Sequence, residues 1–368
     1  MKTRAAVLYA YQAPLKIEEV DLAEPKEKEV LVRYKSAGLC HSDWSVINGV
    51  LQPPLPVVPG HEGAGVIEKI GPGVSSVQPG DHVVLLWVPV CGECYFCRRG
   101  ETALCVLKDK TRSGRMMDDT YRMTTTEGQG IGKMGGVGSF SEYNVVNEEN
   151  LLVIDKDIPF DVAAVAGCAL ITGVGAVLNK AKVRQGSSVA VVGVGGVGLN
   201  IIQGAVLAGA GQIIAVDLLD HKLDLAKQFG ATDVINAADQ DIVSKVMALT
   251  NQIGVDYAFE AIGNVATAET AFNLIRRGGH MIMVGIPAKD QKFCVSLAEL
   301  PLMDKTISGS YYGSGDMTSD IINFLEMYKN GRILLDELIT DRYSLEHINE
   351  GMHDLAAGKN ARGVIIYD

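Results

Sequence analysis

The chain has 368 residues, 47% of them apolar and 21% charged, with 41 glycines. That is room for two domains of ordinary size and the composition of a soluble globular protein rather than a disordered one. A net charge of −11 argues against a nucleic-acid or anionic-membrane partner, and no run reads as a transmembrane helix.

Residues 1–9 lack the apolar core and cleavage site of a signal peptide and read as a first strand. Cytoplasm is the expected compartment, and its seven cysteines are then expected to be reduced. Strands follow at 29–36, 63–70 and 81–84, separated by glycine- and proline-rich turns at 23–25, 52–56 and 71–74. Many short strands punctuated this way predict an antiparallel, barrel-like module. Two segments with metal-binding side chains interrupt it: Gly38-Leu39-Cys40-His41-Ser42-Asp43 and Pro59-Gly60-His61-Glu62-Gly63.

Cys91, Cys94, Cys97 and Cys105 follow with C-x2-C-x2-C-x7-C spacing. Four thiolates complete a tetrahedral zinc shell with no open position, which is a structural site; an iron–sulfur cluster is the chemical alternative. Residues 106–140 are polar and glycine-rich and read as a long surface loop, and 139–146 as a strand. Two helices are expected at 161–170 and 171–179. Cys294 fits no pattern and reads as a small buried residue.

From residue 188 the pattern changes. A β-branched strand runs into Gly193, Gly195 and Gly198, spaced G-x-G-x-x-G, then a helix at 199–208 and a strand at 212–216 that ends in Asp217. Gly193 allows the tight turn, Gly195 lets a pyrophosphate approach the backbone, and Gly198 lets the helix lie close to the strand. The helix N-terminus offers unpaired N–H groups to the phosphates. Asp217 lies 19 residues after Gly198, placed to accept hydrogen bonds from both ribose hydroxyls and to repel a 2′-phosphate. The cofactor expected is NAD. Helices at 221–229, 241–250 and 265–275 then alternate with strands at 233–235, 256–260, 279–284 and 306–309, predicting a doubly wound parallel sheet. A helix at 319–329, another near 345–357 and a strand at 363–367 close the chain.

Cys40, His61 and Cys168 are too far apart for spacing to join them. In joint order with Gly60 to Gly65, the four-cysteine segment, Gly167-Cys168, Thr172-Gly173, the glycine turn, Asp217 and Phe259 to Gly263, they carry a resemblance. The chain resembles, over essentially its whole length, the zinc-dependent alcohol dehydrogenases of the medium-chain dehydrogenase/reductase family. The segment around Met117 to Thr120 is similar to the longer branch of that family, typically dimeric, so a homodimer is expected, with a tetramer as the alternative. The fold implied is α/β: a GroES-like antiparallel β-barrel catalytic domain (1–169, with the structural zinc lobe at 91–105), a Rossmann domain (170–310) and a return to the catalytic domain (311–368).

The resemblance implies two zinc ions per subunit. Cys40, His61 and Cys168 would hold the catalytic one, with the fourth position left for water or substrate. Glu62 would approach the metal during ligand exchange, or else form a buried salt bridge. Asp43 would accept the imidazole N–H of His61, and Ser42 the alcohol proton. Gly196, Val197, Thr172 and Val284 would line the cofactor site, Arg362 would pair with the pyrophosphate, and Lys222 would reach the adenosine ribose. Two positions depart from the family. His41 stands where an arginine often contacts the pyrophosphate, and Ser45 where a histidine often ends the proton relay. Trp87 matches the aromatic wall beside the alcohol and would favour primary alcohols. The activity implied is reversible hydride transfer between an alcohol and NAD. Oxidation of a formaldehyde–thiol adduct, a polyol dehydrogenase and a cofactor-binding protein without catalysis are the alternatives.

Overall fold

The computed structural model describes residues 1–238 and 241–368. The chain divides into two compact units, one comprising residues 1–168, 321–326 and 335–368, the other 169–320 and 327–334.

The first unit is built on two sheets. Five strands lie in the order Lys2–Val7, Lys16–Leu22, Met123–Thr124, Gly130–Lys133, Val57–Val58. The larger sheet runs Leu151–Val153, His82–Leu85, Glu62–Ile70, Glu29–Gly38, Arg362–Ile366, Ile339–Tyr343, with Tyr143–Asn147 also on Glu29–Gly38. The C-terminal strand enters this sheet antiparallel to Glu29–Gly38, pairing Val364 with Gly38. Alternating apolar residues of both sheets, among them Val7, Val20, Val32, Tyr34, Val83 and Ile365, form one buried cluster.

The second unit is a six-stranded parallel sheet in the order Asp233–Asn236, Gln212–Asp217, Ser188–Val192, Val255–Glu260, Ile275–Met283, Thr306–Gly309. Its strands read as near-continuous apolar runs because both faces are covered. The sequence direction reverses between Ser188–Val192 and Val255–Glu260, the switch point where ligands sit in such sheets.

Three expectations are corrected. Residues 160–181 are not two helices separated at 170. They form one apolar helical run, with π-helical segments at Ala166–Leu170 and Ala176–Ala181. By length and composition this run could cross a membrane, contrary to the sequence reading, yet most of it is buried inside the protein. Its glycines permit close packing: a Cβ on Gly173 would lie 2.4 Å from Cβ of Asn200. Second, residues 106–140 are not only a surface loop. They contribute a helix at Lys108–Thr111, two strands and the buried Met116, Met123, Ile131 and Val137. Their polarity misled because part of it is buried: Arg122 donates to both carboxylate oxygens of Glu29, with Nε–Oε2 at 2.6 Å. Strands of two and four residues are also too short to show alternation. Third, Cys294 is exposed, in a stretch without regular structure.

Lys133 is buried nearby. Its ammonium nitrogen donates to the Val145 carbonyl and lies 2.8 Å from Sδ of Met116. Burial pulls its pKa down to about 7, and the Arg122 charge adds to this, against the attraction of Glu29. Between pH 7 and its ordinary value of 10.5, the unfolded chain therefore binds the proton that the folded chain has released. Stability must rise with pH across that window, by at most about 1.4 kcal/mol per unit from this group. Lys133→Met should remove that rise, read as the difference between the two proteins' denaturant midpoints from pH 7 to pH 10.

Candidate functional site

The first cluster is organised by Asp43. Cys40 ends the loop after strand Glu29–Gly38, and helix His41–Ile47 begins at the next residue, so Asp43 falls in its first turn. The Asp43 carboxylate is fully buried and accepts three N–H groups: Cys40 N at 3.0 Å, Gly60 N at 3.1 Å and His61 Nδ1 at 2.9 Å. The last of these puts the imidazole proton on Nδ1 and leaves the Nε2 lone pair free to bind a metal. His61 precedes strand Glu62–Ile70. Cys168 comes from the π-helical segment, which Gly167 brings against strand His82–Leu85: a Cβ there would lie 2.9 Å from Val84 and 3.0 Å from the Leu85 carbonyl.

These elements bring Cys40, His61, Glu62 and Cys168 together, with one donor atom of each within 4.8 Å of the others, all buried. Cys168 Sγ is 3.5 Å from Nε2 of His61. The thiols respond to one another. Cys168 and the positive charges of Arg362 and His61 hold Cys40 well below the ordinary thiol range, while Cys40 and burial push Cys168 well above it. Burial lowers His61, but the charges of Asp43 and Cys40 outweigh it and raise the imidazole well above its ordinary value. Burial pushes Glu62 up to about 8, against the pull of Arg362. Two sulfurs and one oriented imidazole are three donors that fit zinc with a fourth position open, and the Glu62 carboxylate stands beside them. Trp87 stands edge-on to His61, ring centroids 6.1 Å apart, and Ser42 lies on the helix between Cys40 and Asp43.

Arg362 has partners that sequence reasoning did not name. Expected at the pyrophosphate, it is buried with a guanidinium nitrogen 3.0 Å from Oε1 of Glu62, and it donates to the Leu39 carbonyl at 2.7 Å. Glu62 is thus in a buried salt bridge while its carboxylate also stands in the cluster of Cys40, His61 and Cys168. No sequence signal joins positions 62 and 362; the pair exists because the C-terminal strand lies beside Glu29–Gly38, which in turn pairs Gly38 with Glu62.

The four remaining cysteines of the pattern also converge, within 4.8 Å of one another. Cys91 and Cys97 sulfurs are 3.9 Å apart, and Cys105 and Cys91 3.6 Å. Backbone N–H groups of Cys94 and Cys97 point at Sγ of Cys91 and Cys94, at 3.4 and 3.5 Å, a polarity that suits thiolates holding a cation.

In the second unit, Gly193 has φ +95, and a Cβ there would lie 2.4 Å from Ile262. Gly195 caps helix Gly196–Leu207, and nothing lies within 4 Å of its Cβ position. A Cβ on Gly198 would come 1.9 Å from the Gly193 carbonyl. The turn therefore leaves open backbone at the start of a twelve-residue helix, which fits a pyrophosphate. Asp217 accepts the N–H groups of Val194 at 2.7 Å and Leu219 at 3.2 Å. Thr172 and Val197 are half-buried, Val284 and Lys222 are buried, and His41, on the first unit, is exposed.

Known proteins resemble this chain over its whole length. Residues 26–156 match the family model described as alcohol dehydrogenase GroES-like domain, and residues 196–330 the model described as zinc-binding dehydrogenase. An NDMA-dependent alcohol dehydrogenase from Amycolatopsis methanolica is 42% identical over 371 aligned positions, covering 100% of this chain and 99% of its own. An S-(hydroxymethyl)glutathione dehydrogenase from Escherichia coli is 40% identical, with both chains fully covered. The crystal structure of benzyl alcohol dehydrogenase from Acinetobacter calcoaceticus superposes with a TM-score of 0.94 at 33% identity, again over the whole of both chains.

Arg362→Leu should expose how strongly the metal cluster depends on the C-terminal strand. Removing one partner of a buried ion pair costs about 3–5 kcal/mol. Chemical denaturation should show a loss of that order, and the double variant Glu62→Gln/Arg362→Leu should recover part of it.

Proposed function

Because the chain belongs to the zinc-dependent alcohol dehydrogenases of the medium-chain dehydrogenase/reductase family, we propose that it interconverts a primary alcohol and its aldehyde with NAD as the hydride partner. The observation that carries this reading is the convergence of Cys40, His61 and Cys168 on one point, with Asp43 fixing the imidazole. When bound there, zinc would supply the Lewis acid that acidifies the alcohol, and NAD would supply the hydride acceptor.

The chain's own residues do the rest. Asp43 keeps the proton on Nδ1 of His61, so that Nε2 is the nitrogen that faces a metal. Ser42 Oγ accepts the alcohol proton and passes it on; with serine at position 45, water finishes that transfer. Trp87, beside His61, narrows the space for the alcohol and disfavours a second substituent on the reacting carbon. Gly195 and the helix N-terminus receive the pyrophosphate. The Asp217 carboxylate selects NAD over NADP, since a 2′-phosphate beside it would be repelled. Cys91, Cys94, Cys97 and Cys105 hold a second, structural zinc. A homodimer is part of this reading. It is supported by the end strand Thr306–Gly309, which among the described residues pairs on one side alone, and by Leu297 and Leu302, 83% and 79% exposed close by in sequence. Similarity to the S-(hydroxymethyl)glutathione dehydrogenase favours a second reading, oxidation of a formaldehyde–thiol adduct.

A panel of primary alcohols, polyols and formaldehyde with glutathione, each with NAD and NADP, separates these readings when metal content is measured on the same sample. Two zinc ions per chain and NAD-linked oxidation of primary alcohols are expected. Cys40→Ser should abolish turnover and leave NADH binding nearly intact. Oxidation at the parent rate by that variant would overturn the metal assignment.

A further inference from the structure

Glu260 ends strand Val255–Glu260, in register with Val192 and therefore one residue short of the glycine turn. It is fully buried, and a carboxylate can be buried only if hydrogen bonds replace its water. All the side-chain hydrogen bonds it receives go to one oxygen. Oε1 accepts the N–H of Ile262 at 2.9 Å, the N–H of Gly263 at 2.7 Å and the hydroxyl of Thr267 at 2.7 Å. Oε2 is buried with no hydrogen-bond partner among the described residues. The donors all come from the turn after the strand and the first turn of helix Val265–Leu274. That turn cannot lift away without stripping the buried charge of its solvation.

The turn is also what stands against the glycines. Ile262 occupies the space that a Cβ on Gly193 would need, and the Ala261 N–H is tied to the Val192 carbonyl at 2.9 Å. The opposite side is equally close. A Cβ on Gly285 would lie 2.2 Å from Gly263 N and 2.8 Å from Oε2 of Glu260, so that only glycine fits at 285 without displacing the turn.

We infer that Glu260 is a positioning residue for the dinucleotide: its Oε1 locks the 261–267 turn against the glycine turn at the switch point of the sheet, and so sets how tightly the dinucleotide is held. This rests on the reading of the second unit as an NAD-binding unit. Glu260 itself touches neither reacting atom, so its loss appears in cofactor affinity and leaves the hydride step at saturation unchanged.

The test uses the full-length, zinc-loaded enzyme and NADH as probe. Fluorescence titration of Glu260→Ala should show a Kd for NADH raised about tenfold or more, the scale of one lost charge-assisted hydrogen bond. KM for NAD should rise in parallel, with kcat at saturating NAD within about threefold of the parent. Amide exchange at Ile262 and Gly263 should accelerate even without NADH. Glu260→Gln, whose amide oxygen can still accept the three bonds, should restore Kd to within about threefold. Gly285→Ala should reproduce the loss by pushing the turn from the other side. Thr267→Val removes one bond of the three and keeps the proposal testable if Glu260→Ala fails to fold; it should weaken NADH severalfold. Parent-like Kd in Glu260→Ala or Thr267→Val overturns the inference, and so does a Gln variant as weak as the Ala variant. Failure of the parent enzyme itself to bind NADH or NADPH would instead sink the NAD-binding reading.

Discussion

A single buried carboxylate, Asp43, decides whether the metal cluster exists. It gathers the N–H groups of Cys40, Gly60 and His61, which belong to two loops about twenty residues apart in sequence that meet at one end of the paired strands Glu29–Gly38 and Glu62–Ile70. One oxygen serves both Gly60 and His61, so the backbone that carries the histidine and the ring itself are fixed by the same atom. A carboxylate at that depth is stable only with such a set of donors, and the donors are in place only when both loops are. Folding of the loops and preparation of the ligands are therefore one event.

Around this anchor the charges are arranged in alternation. The Asp43 carboxylate faces His61, the sulfurs of Cys40 and Cys168 face His61 and Arg362, and Arg362 faces Glu62. A buried array of this kind is costly if any member is removed and gains little from being buried as such. Its value is positional: Arg362 ties the loop of Cys40, through the Leu39 carbonyl, to the neighbour of His61, through Glu62. The chain's last strand thus finishes a cluster begun by its third.

The second unit follows the same logic with different chemistry. Open backbone at Gly195 is useful only if the surrounding turns hold still. Asp217 fixes one side through the Val194 N–H, and Glu260 fixes the other through the 261–267 turn. Both are acids at the carboxyl ends of strands flanking Ser188–Val192; Asp217 gives both oxygens to backbone N–H groups, and Glu260 gives one oxygen to two backbone N–H groups and a hydroxyl. Where a helix N-terminus supplies the positive end for an anion, neighbouring carboxylates that are satisfied by backbone donors can shape the site at little electrostatic cost.

The sequence by itself determined the parts whose chemistry is local. The thiol spacing from Cys91 to Cys105, the glycine turn with its strand, helix and Asp217, and the alternation that builds the parallel sheet are all written within short windows, where turn geometry and hydrophobic period act directly. It also named Cys40, His61 and Cys168, but only through likeness to a family, because no window contains all three. Only the tertiary structure decided what depends on separate segments meeting. Examples are the pairing of Arg362 with Glu62, the burial of Arg122 and Lys133 from what looked like a polar loop, with Arg122 against Glu29 of strand Glu29–Gly38, the union of residues 160–181 into one helical run, and the exposure of Cys294. The reason is physical. A charged side chain reads as solvent-facing until its partner is known, and the close approach that a helical glycine permits shows only when the neighbour that needs its missing Cβ is in place.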